Sequence, residues 1–316
     1  MKRELNIIFM GTPEFAVSSL EALIENHYKV VAVVTAPDKP AGRGRKMNTS
    51  AVKQYALSKG LTVLQPKRLK NEYFLKVLQA LHVNLIVVVA FRMLPESVWR
   101  LPKYGTFNLH ASLLPQYRGA APINWAIING ETQTGVTTFF IDDKIDTGEL
   151  ILKREVEIDA DETAGSLHDK LKAMGSQLVI ETVKLIEQDD VSTKPQSENS
   201  ELKSAPKLNP ENCKIEWQKS QKAVNDLIRG LSPYPAAWCI LKNGEETQRI
   251  KIYKAERIES ENKAEAGSIQ ADKKSLLVAC DDGWISILEL QLAGKRKMDI
   301  KSLLNGYAFA SEAKML

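Results

Sequence analysis

Asn108 and His110 stand one residue apart in the stretch FNLHASLLPQYRGAAPINWAI, residues 107 to 127. On an extended chain, residues two apart point to the same side, so an amide donor and an imidazole converge. A carboxylate, Asp146, stands in FFIDDKIDTGEL beside the turn-forming pair Thr147–Gly148. The three offer a donor, a titratable ring and an acceptor, without an obvious nucleophile. Ser112 lies close by, but the GxSxG elbow that exposes a nucleophilic serine is absent. Direct acyl transfer fits the set: an amine attacks a carbonyl, Asn108 and protonated His110 stabilise the oxyanion, and Asp146 supports proton removal. The competing reading is structural, since a histidine at a strand end often only packs and an aspartate before Thr-Gly often only shapes a turn.

Positioning such a trio needs strand ends, and the first half of the chain supplies them. LNIIFM reads as a strand, followed by a glycine turn and the helix of GTPEFAVSSLEALIEN, with Thr12 as cap and Pro13 at the first helical position. YKVVAVVT, LTVLQ, VNLIVVVAF and GTFNLH are further strands, and they alternate with helical SAVKQYALSKG and NEYFLKVLQAL. That alternation predicts an α/β fold, a doubly wound and largely parallel sheet whose ligand site lies beyond the carboxyl ends of its strands. TGVTTFFI and GELILKREVEI read as an added strand pair, and Leu167, Leu171, Met174, Leu178 and Ile186 mark one face of a long helix.

Residues 1–189 are thus expected to form the first domain, and 190–207 a polar linker. Residues 208–316, with short alternating runs separated by NGEE, DKK and DDG turns, are expected to form an antiparallel barrel or sandwich. A chain of 316 residues exceeds the usual span of roughly 100–200 residues for one domain.

The net charge of +4 is too mild to declare a nucleic-acid partner by itself. Local clusters say more: DKPAGRGRK, residues 38–46, and GKRK, residues 294–297, concentrate basic residues beside glycine. Cys213, Cys239 and Cys280 are too few and scattered for a disulfide framework or a CxxC metal site, so a reducing cytoplasm and no metal are expected. No apolar run approaches the roughly 20 residues of a membrane span. A nucleotide-dependent dehydrogenase is disfavoured because MGTPEFA carries a single glycine where GxGxxG belongs, and no GxxxxGK[ST] loop is present.

Taken together, NLHASLLPQYRGAAPINWAI, GTPEFA, PDKPAGRGRK, IDTGEL, KIEW, IRGLSPYPAAW and AGKRKM resemble the methionyl-tRNA formyltransferase family. The likeness runs from the first strand to near residue 305. The Asn-x-His-x-Ser-Leu-Leu-Pro core and distant Asp alone mark only the wider folate-dependent formyltransferase group. The resemblance implies a Rossmann-like first domain and a C-terminal OB-like β-barrel that helps hold tRNA. It implies 10-formyltetrahydrofolate as donor, the α-amino group of methionyl initiator tRNA as acceptor, and a monomer. Asn108, His110 and Asp146 match the family's catalytic trio, and Ser112, Leu113, Leu114 and Pro115 its folate-contacting turn. Arg43, with Arg45 and Lys46, matches a basic loop that reaches toward the acceptor end of tRNA. Lys295, Arg296, Lys297 and Arg229 are expected to meet phosphates.

Two stretches depart from the family pattern. AFRMLP stands where AYGLILP is frequent, and DDKIDTG carries Lys144 in place of a glycine. Three other functions compete: formylation of a different amine, such as an aminosugar nucleotide or glycinamide ribonucleotide; hydrolysis of the same donor; and RNA binding by a chain whose enzyme domain is inactive. The first lacks a reason for AGRGRK and for the second domain, the second needs only water in place of the amine, and the intact trio opposes the third.

Overall fold

The computed structural model describes residues 2–41, 46–197, 201–258, 260 and 264–316. The chain begins with β1 (Ile7–Gly11), α1 (Glu14–Glu25), β2 (Val30–Val34), β3 (Lys39–Ala41), β4 (Lys46–Asn48), α2 (Ala51–Ser58) and β5 (Val63–Leu64). Next come α3 (Glu72–Ala80), β6 (Leu85–Val89), α4 (Glu96–Trp99), β7 (Thr106–His110), β8 (Arg118–Gly119) and α5 (Pro122–Ile128). They lead into β9 (Gln133–Phe140), β10 (Leu150–Glu157), α6 (Ala164–Gln188), β11 (Ser204–Ala205) and α7 (Gln221–Leu231). The remainder is β12 (Ala237–Asn243), β13 (Glu246–Ile258), β14 (Ile269–Ala271), β15 (Leu276–Ala279), β16 (Trp284–Gln291), β17 (Met298–Asp299), α8 (Ile300–Leu304) and β18 (Lys314–Met315).

Two compact units result. The first holds Met1–Gly119, Thr134–Val156 and His168–Ser204; the second holds Ala120–Gln133, Glu157–Leu167 and Ala205–Leu316.

In the first unit the strand order is β10-β9-β7-β6-β1-β2-β5. β5, β2, β1, β6 and β7 run parallel, and β9 joins β7 antiparallel. From β1 the chain winds outward to β2 and β5, then returns to lay β6 on the other side of β1, the reversal of a doubly wound sheet. IIFMG and LIVVV are buried along their whole length, as central parallel strands covered on both faces require. At the end of β1, a Cβ on Gly11 would stand 2.7 Å from the Ala16 Cβ and 3.1 Å from the Val89 carbonyl oxygen, so the tight turn into α1 demands glycine. That helix starts one residue later than expected. Pro13 occupies the cap, and no side chain, Thr12 included, caps it. Ser50 and Asn71 cap α2 and α3 through the Lys53 and Phe74 N–H groups. On α6, Leu167, Leu171, Leu178, Val183 and Ile186 are buried, and Met174 only half so.

The polar stretch after α6 lies along the first unit. Lys194 exchanges backbone hydrogen bonds with Leu150 at 2.8 and 3.0 Å, and the Thr193 hydroxyl donates to Glu149.

Among the described residues of the second unit, the antiparallel order is β14-β15-β16-β13-β12-β18, with β17 on β16. A bridge between Ser268 and Lys314 brings the two ends of this order together, leaving a nearly closed barrel rather than a sandwich. Its interior is filled by Trp217, Cys239, Ile250, Ile252, Ile285 and Ile287. Ser220 caps α7 by accepting from the Ala223 N–H. Among the described residues, no helix is long and apolar enough to cross a membrane.

Barrel closure rests on Gly267. Its φ is +84°, its carbonyl accepts from Met315 N–H at 2.9 Å, and a Cβ there would stand 2.1 Å from the Met315 carbonyl oxygen. Gly267→Ala is expected to cost at least about 1 kcal/mol, read as a lowered urea midpoint.

Candidate active site

β7 is held between β6 and β9, with Val88 opposite Asn108 on one side and Phe139 opposite Asn108, Thr137 opposite His110, on the other. Strand alternation turns Leu109 away from its neighbours and against α6, where a Cβ on Gly175 would meet Leu109 Cδ2 at 2.7 Å. Asn108 and His110 therefore share the opposite face.

His110 is buried, and its Nε2 lies 2.8 Å from the Tyr117 carbonyl oxygen. A carbonyl can only accept, so Nε2 carries a hydrogen and the second ring nitrogen is the one that gains or loses a proton. That nitrogen, Nδ1, stands 3.8 Å from Asp146 Oδ2, a charge-pair distance rather than a hydrogen bond. Asp146 Oδ2 in turn accepts from the Gly119 N–H at 2.9 Å. Half-buried Asn108 makes no side-chain hydrogen bond among the described residues, leaving its amide available to a ligand. The trio is thus an amide donor, an imidazole with its exchangeable proton turned toward a carboxylate, and that carboxylate fixed by a backbone amide.

The turn after β7 is pinned from several sides. The Ser112 hydroxyl donates to the Gln116 carbonyl at 2.6 Å and is fully buried, so it is not poised as a nucleophile. Thr137 Oγ1 donates to the Ser112 carbonyl at 2.7 Å and accepts from the Leu114 N–H at 3.2 Å. Lys153 Nζ donates to the Leu114 carbonyl, and desolvation holds this ammonium below the usual lysine pKa despite the opposing Glu155 charge. Leu114 is buried, whereas Leu113 and Pro115 are partly accessible.

The Asp146 loop is equally constrained. Asp146 has φ +55°, and a Cβ on Gly148 would fall 1.7 Å from the Phe140 carbonyl oxygen. Thr147 Oγ1 donates to the Asp142 carboxylate, and Gln196 donates from Nε2 to the carbonyls of Asp146 and Gly148 at 2.9 and 2.8 Å.

A formyl transferase family model matches residues 5–183, and a formyl transferase C-terminal domain model matches residues 207–308. Methionyl-tRNA formyltransferase of Flavobacterium johnsoniae is 60% identical over 312 residues, covering 99% of both chains. That of Parabacteroides distasonis is 52% identical over 318 residues, covering 98% of each. The chain belongs to the methionyl-tRNA formyltransferase family. Solved structures share the fold at lower identity. An N-formyltransferase from Helicobacter canadensis, in complex with folinic acid and dTDP-3-aminofucose, aligns at TM-score 0.64 and 21% identity over 93% of this chain and 100% of that one. HypX from Aquifex aeolicus, in complex with tetrahydrofolic acid, aligns at TM-score 0.63 and 17% identity over 96% of this chain and 47% of that one.

Both departures from the pattern of methionyl-tRNA formyltransferases have local supports. In AFRMLP, the Arg92 guanidinium donates to the Lys67 carbonyl at 3.1 Å and to the Pro66 carbonyl, tying this loop to its neighbour. Lys144 donates its N–H to Asp142 Oδ1 at 3.0 Å in a short Asx turn that needs no glycine.

Of the residues expected to meet tRNA, Arg43 and Arg45 lie outside the described residues, as does the side chain of Lys46, whose backbone opens β4. The root of that loop is latched. Lys53 Nζ meets Asp38 at 2.5 Å, and Gln65 Nε2 donates to Asp38 and to the Ala36 carbonyl at 2.9 and 2.8 Å. The Lys53 and then the Gln65 hydrogen bond hold the Asp38 carboxyl below its ordinary value of 3.8, so the ion pair with Lys53 is retained through neutral pH. Lys295, Arg296 and Lys297 are exposed on the turn between β16 and β17, where Lys297 pairs with Glu289 at 2.7 Å. Arg229 is different. Its side chain is 11% exposed, and it donates to Asp226 at 2.8 Å and to the Glu162 carbonyl at 3.1 Å, an inward position that fixes α7 instead of facing a phosphate.

Sequence reasoning missed Tyr117, Gly119, Thr137 and Gln196. The first three act through backbone groups or one hydroxyl, and only the run QYRG hinted at Tyr117 and Gly119; Thr137 lies inside a strand run and Gln196 in a polar stretch, neither with a signal of its own. Gly148→Ala is expected to displace the Asp146 loop and cut turnover at least about tenfold, since a misplacement of about 1 Å costs up to about a hundredfold. Steady-state formylation kinetics check it.

Proposed function

We propose that this chain transfers the formyl group of 10-formyltetrahydrofolate to the α-amino group of methionyl initiator tRNA, giving formylmethionyl-tRNA for translation initiation. The observation that carries the reading is 60% identity extending over 99% of a methionyl-tRNA formyltransferase, both family models included. The likeness to the N-formyltransferase from Helicobacter canadensis, at 21% identity, speaks for the fold alone. The trio supports the chemistry, and the exposed basic turn supports an RNA acceptor.

The donor set suits a formyl carrier, because Asn108 presents an unengaged amide beside a histidine and an aspartate at one strand end. When bound, the folate supplies an electrophilic formyl carbonyl. Asn108 donates to the oxygen on which negative charge develops, and His110 in its protonated form adds positive charge there. Asp146, facing Nδ1, stabilises that protonated ring and supports proton removal from the incoming amine. Ser112, Leu113, Leu114 and Pro115 shape the folate-contacting turn, with Leu113 and Pro115 the accessible pair.

In this reading residues 1–189 are the catalytic domain, 190–207 the linker and 208–316 an OB-like tRNA-binding domain. Arg43, Arg45 and Lys46 reach the acceptor end; Lys295, Arg296 and Lys297 contact phosphates, with Arg229 holding α7 in place. The protein works as a cytoplasmic monomer.

Incubation with 10-formyltetrahydrofolate and either methionyl initiator tRNA, free methionine or a dTDP-aminosugar tests the assignment; formylation of the aminosugar but not the tRNA would refute it. His110→Ala and Asp146→Asn are expected to lower turnover about 10²–10³-fold with the fold retained, and Ser112→Ala far less. Replacing Lys295, Arg296 and Lys297 by alanine should raise the tRNA KM and flatten its dependence on log salt by roughly 0.7–0.9 for each phosphate no longer neutralised, leaving the folate KM unchanged.

A further inference from the structure

The polar segment after α6 does more than connect. At Gln196 it delivers one amide group into the backbone of the Asp146 loop. Nε2 donates to the Asp146 carbonyl at 2.9 Å and to the Gly148 carbonyl at 2.8 Å, while Oε1 accepts from Arg118 Nε at 3.2 Å and Nη2 at 2.7 Å. The orientation of the amide is fixed by its partners: carbonyls only accept, and a guanidinium only donates. Every hydrogen-bonding position of the group is used.

These bonds fall on a backbone that needs holding. Asp146 has φ +55°, in the left-handed region that residues other than glycine adopt only infrequently. Its neighbour Gly148 is already in closest approach to Phe140. Arg118, at the other end of the Gln196 amide, immediately precedes Gly119, whose N–H binds Asp146 Oδ2, and immediately follows Tyr117, whose carbonyl binds His110 Nε2. The same polar segment also braces that side. The Lys203 carbonyl accepts from the Tyr117 N–H at 2.7 Å, and Gln116 Oε1 accepts from the Lys203 N–H at 2.9 Å.

We propose that Gln196 is a positioning residue for formyl transfer: by bridging the Asp146–Gly148 backbone to Arg118, it sets the Asp146 carboxylate against His110. The proposal rests on the assignment of Asp146 to the transfer step. Gln196 touches neither substrate in this scheme and acts on kcat through the geometry of Asp146.

The test is Gln196→Glu, with Gln196→Ala beside it. Glutamate keeps the volume and the Arg118 partner, but it loses both N–H donors and turns a negative oxygen toward two carbonyls. Gln196 is half-buried on a surface segment, so both variants are expected to fold, with melting curves as the check. Formylation of methionyl initiator tRNA should show kcat reduced about tenfold or more in Gln196→Glu, with KM for both substrates within about twofold. Combined with Asp146→Asn, Gln196→Glu should cost little further, because residues that act through one group are not additive. Three results would overturn the proposal: kcat within about twofold of the unmodified enzyme, losses that multiply in the double variant, or a melting temperature lowered by more than about 10 °C, which marks a folding role. The Asp146→Asn single variant separates the two levels. Near-normal turnover there removes the role of Asp146 and this proposal together, whereas a large loss there with an unaffected Gln196→Glu removes this proposal alone.

Discussion

The hydrogen bond between His110 Nε2 and the Tyr117 carbonyl decides what the rest of the site can be. It places a permanent hydrogen on one ring nitrogen and thereby assigns the exchangeable one to the other, which looks at Asp146. The loop from Ser112 to Gly119 must then close back on the strand that precedes it, bringing a carbonyl to the ring and a backbone amide to the carboxylate. The bonds among Ser112, Leu114, Gln116 and Thr137 serve that closure.

The sheet supplies the frame. β7 lies between a fully buried parallel strand and an antiparallel one, so its outer end is fixed from both sides while its far face is packed on α6. A site built on such a strand end gains its accuracy from the core rather than from the loops, and the loops contribute backbone polar groups already aimed inward.

How much of this was legible in the sequence depends on the kind of group involved. Hydrophobic runs such as LNIIFM and VNLIVVVAF and the spacing of Asn108 and His110 carry their message in side-chain identity, and the sheet order and shared face agree with them. The second unit's alternating runs left barrel and sandwich open, because closure depends on a bridge between Ser268 and Lys314, residues remote in sequence and without distinctive chemistry. Arg229 misleads for a related reason. A basic residue in the sequence carries no sign of whether it faces solvent, and here Asp226, one helical turn away, claims it. Tyr117, Gly119 and Gln196 were hidden because their contributions run through carbonyls and amides that every residue type possesses or through a polar side chain in a stretch of many.

The engagement of Ser112 with the Gln116 carbonyl has a kinetic meaning. With that hydroxyl committed, Ser112 offers no carrier on which a formyl group can wait between substrates. Donor and acceptor must then occupy the cleft at the same moment, and the velocity patterns for the two substrates intersect instead of running parallel. No deformylated folate can leave until the aminoacyl end has arrived, so release of the first product waits on the binding of both substrates.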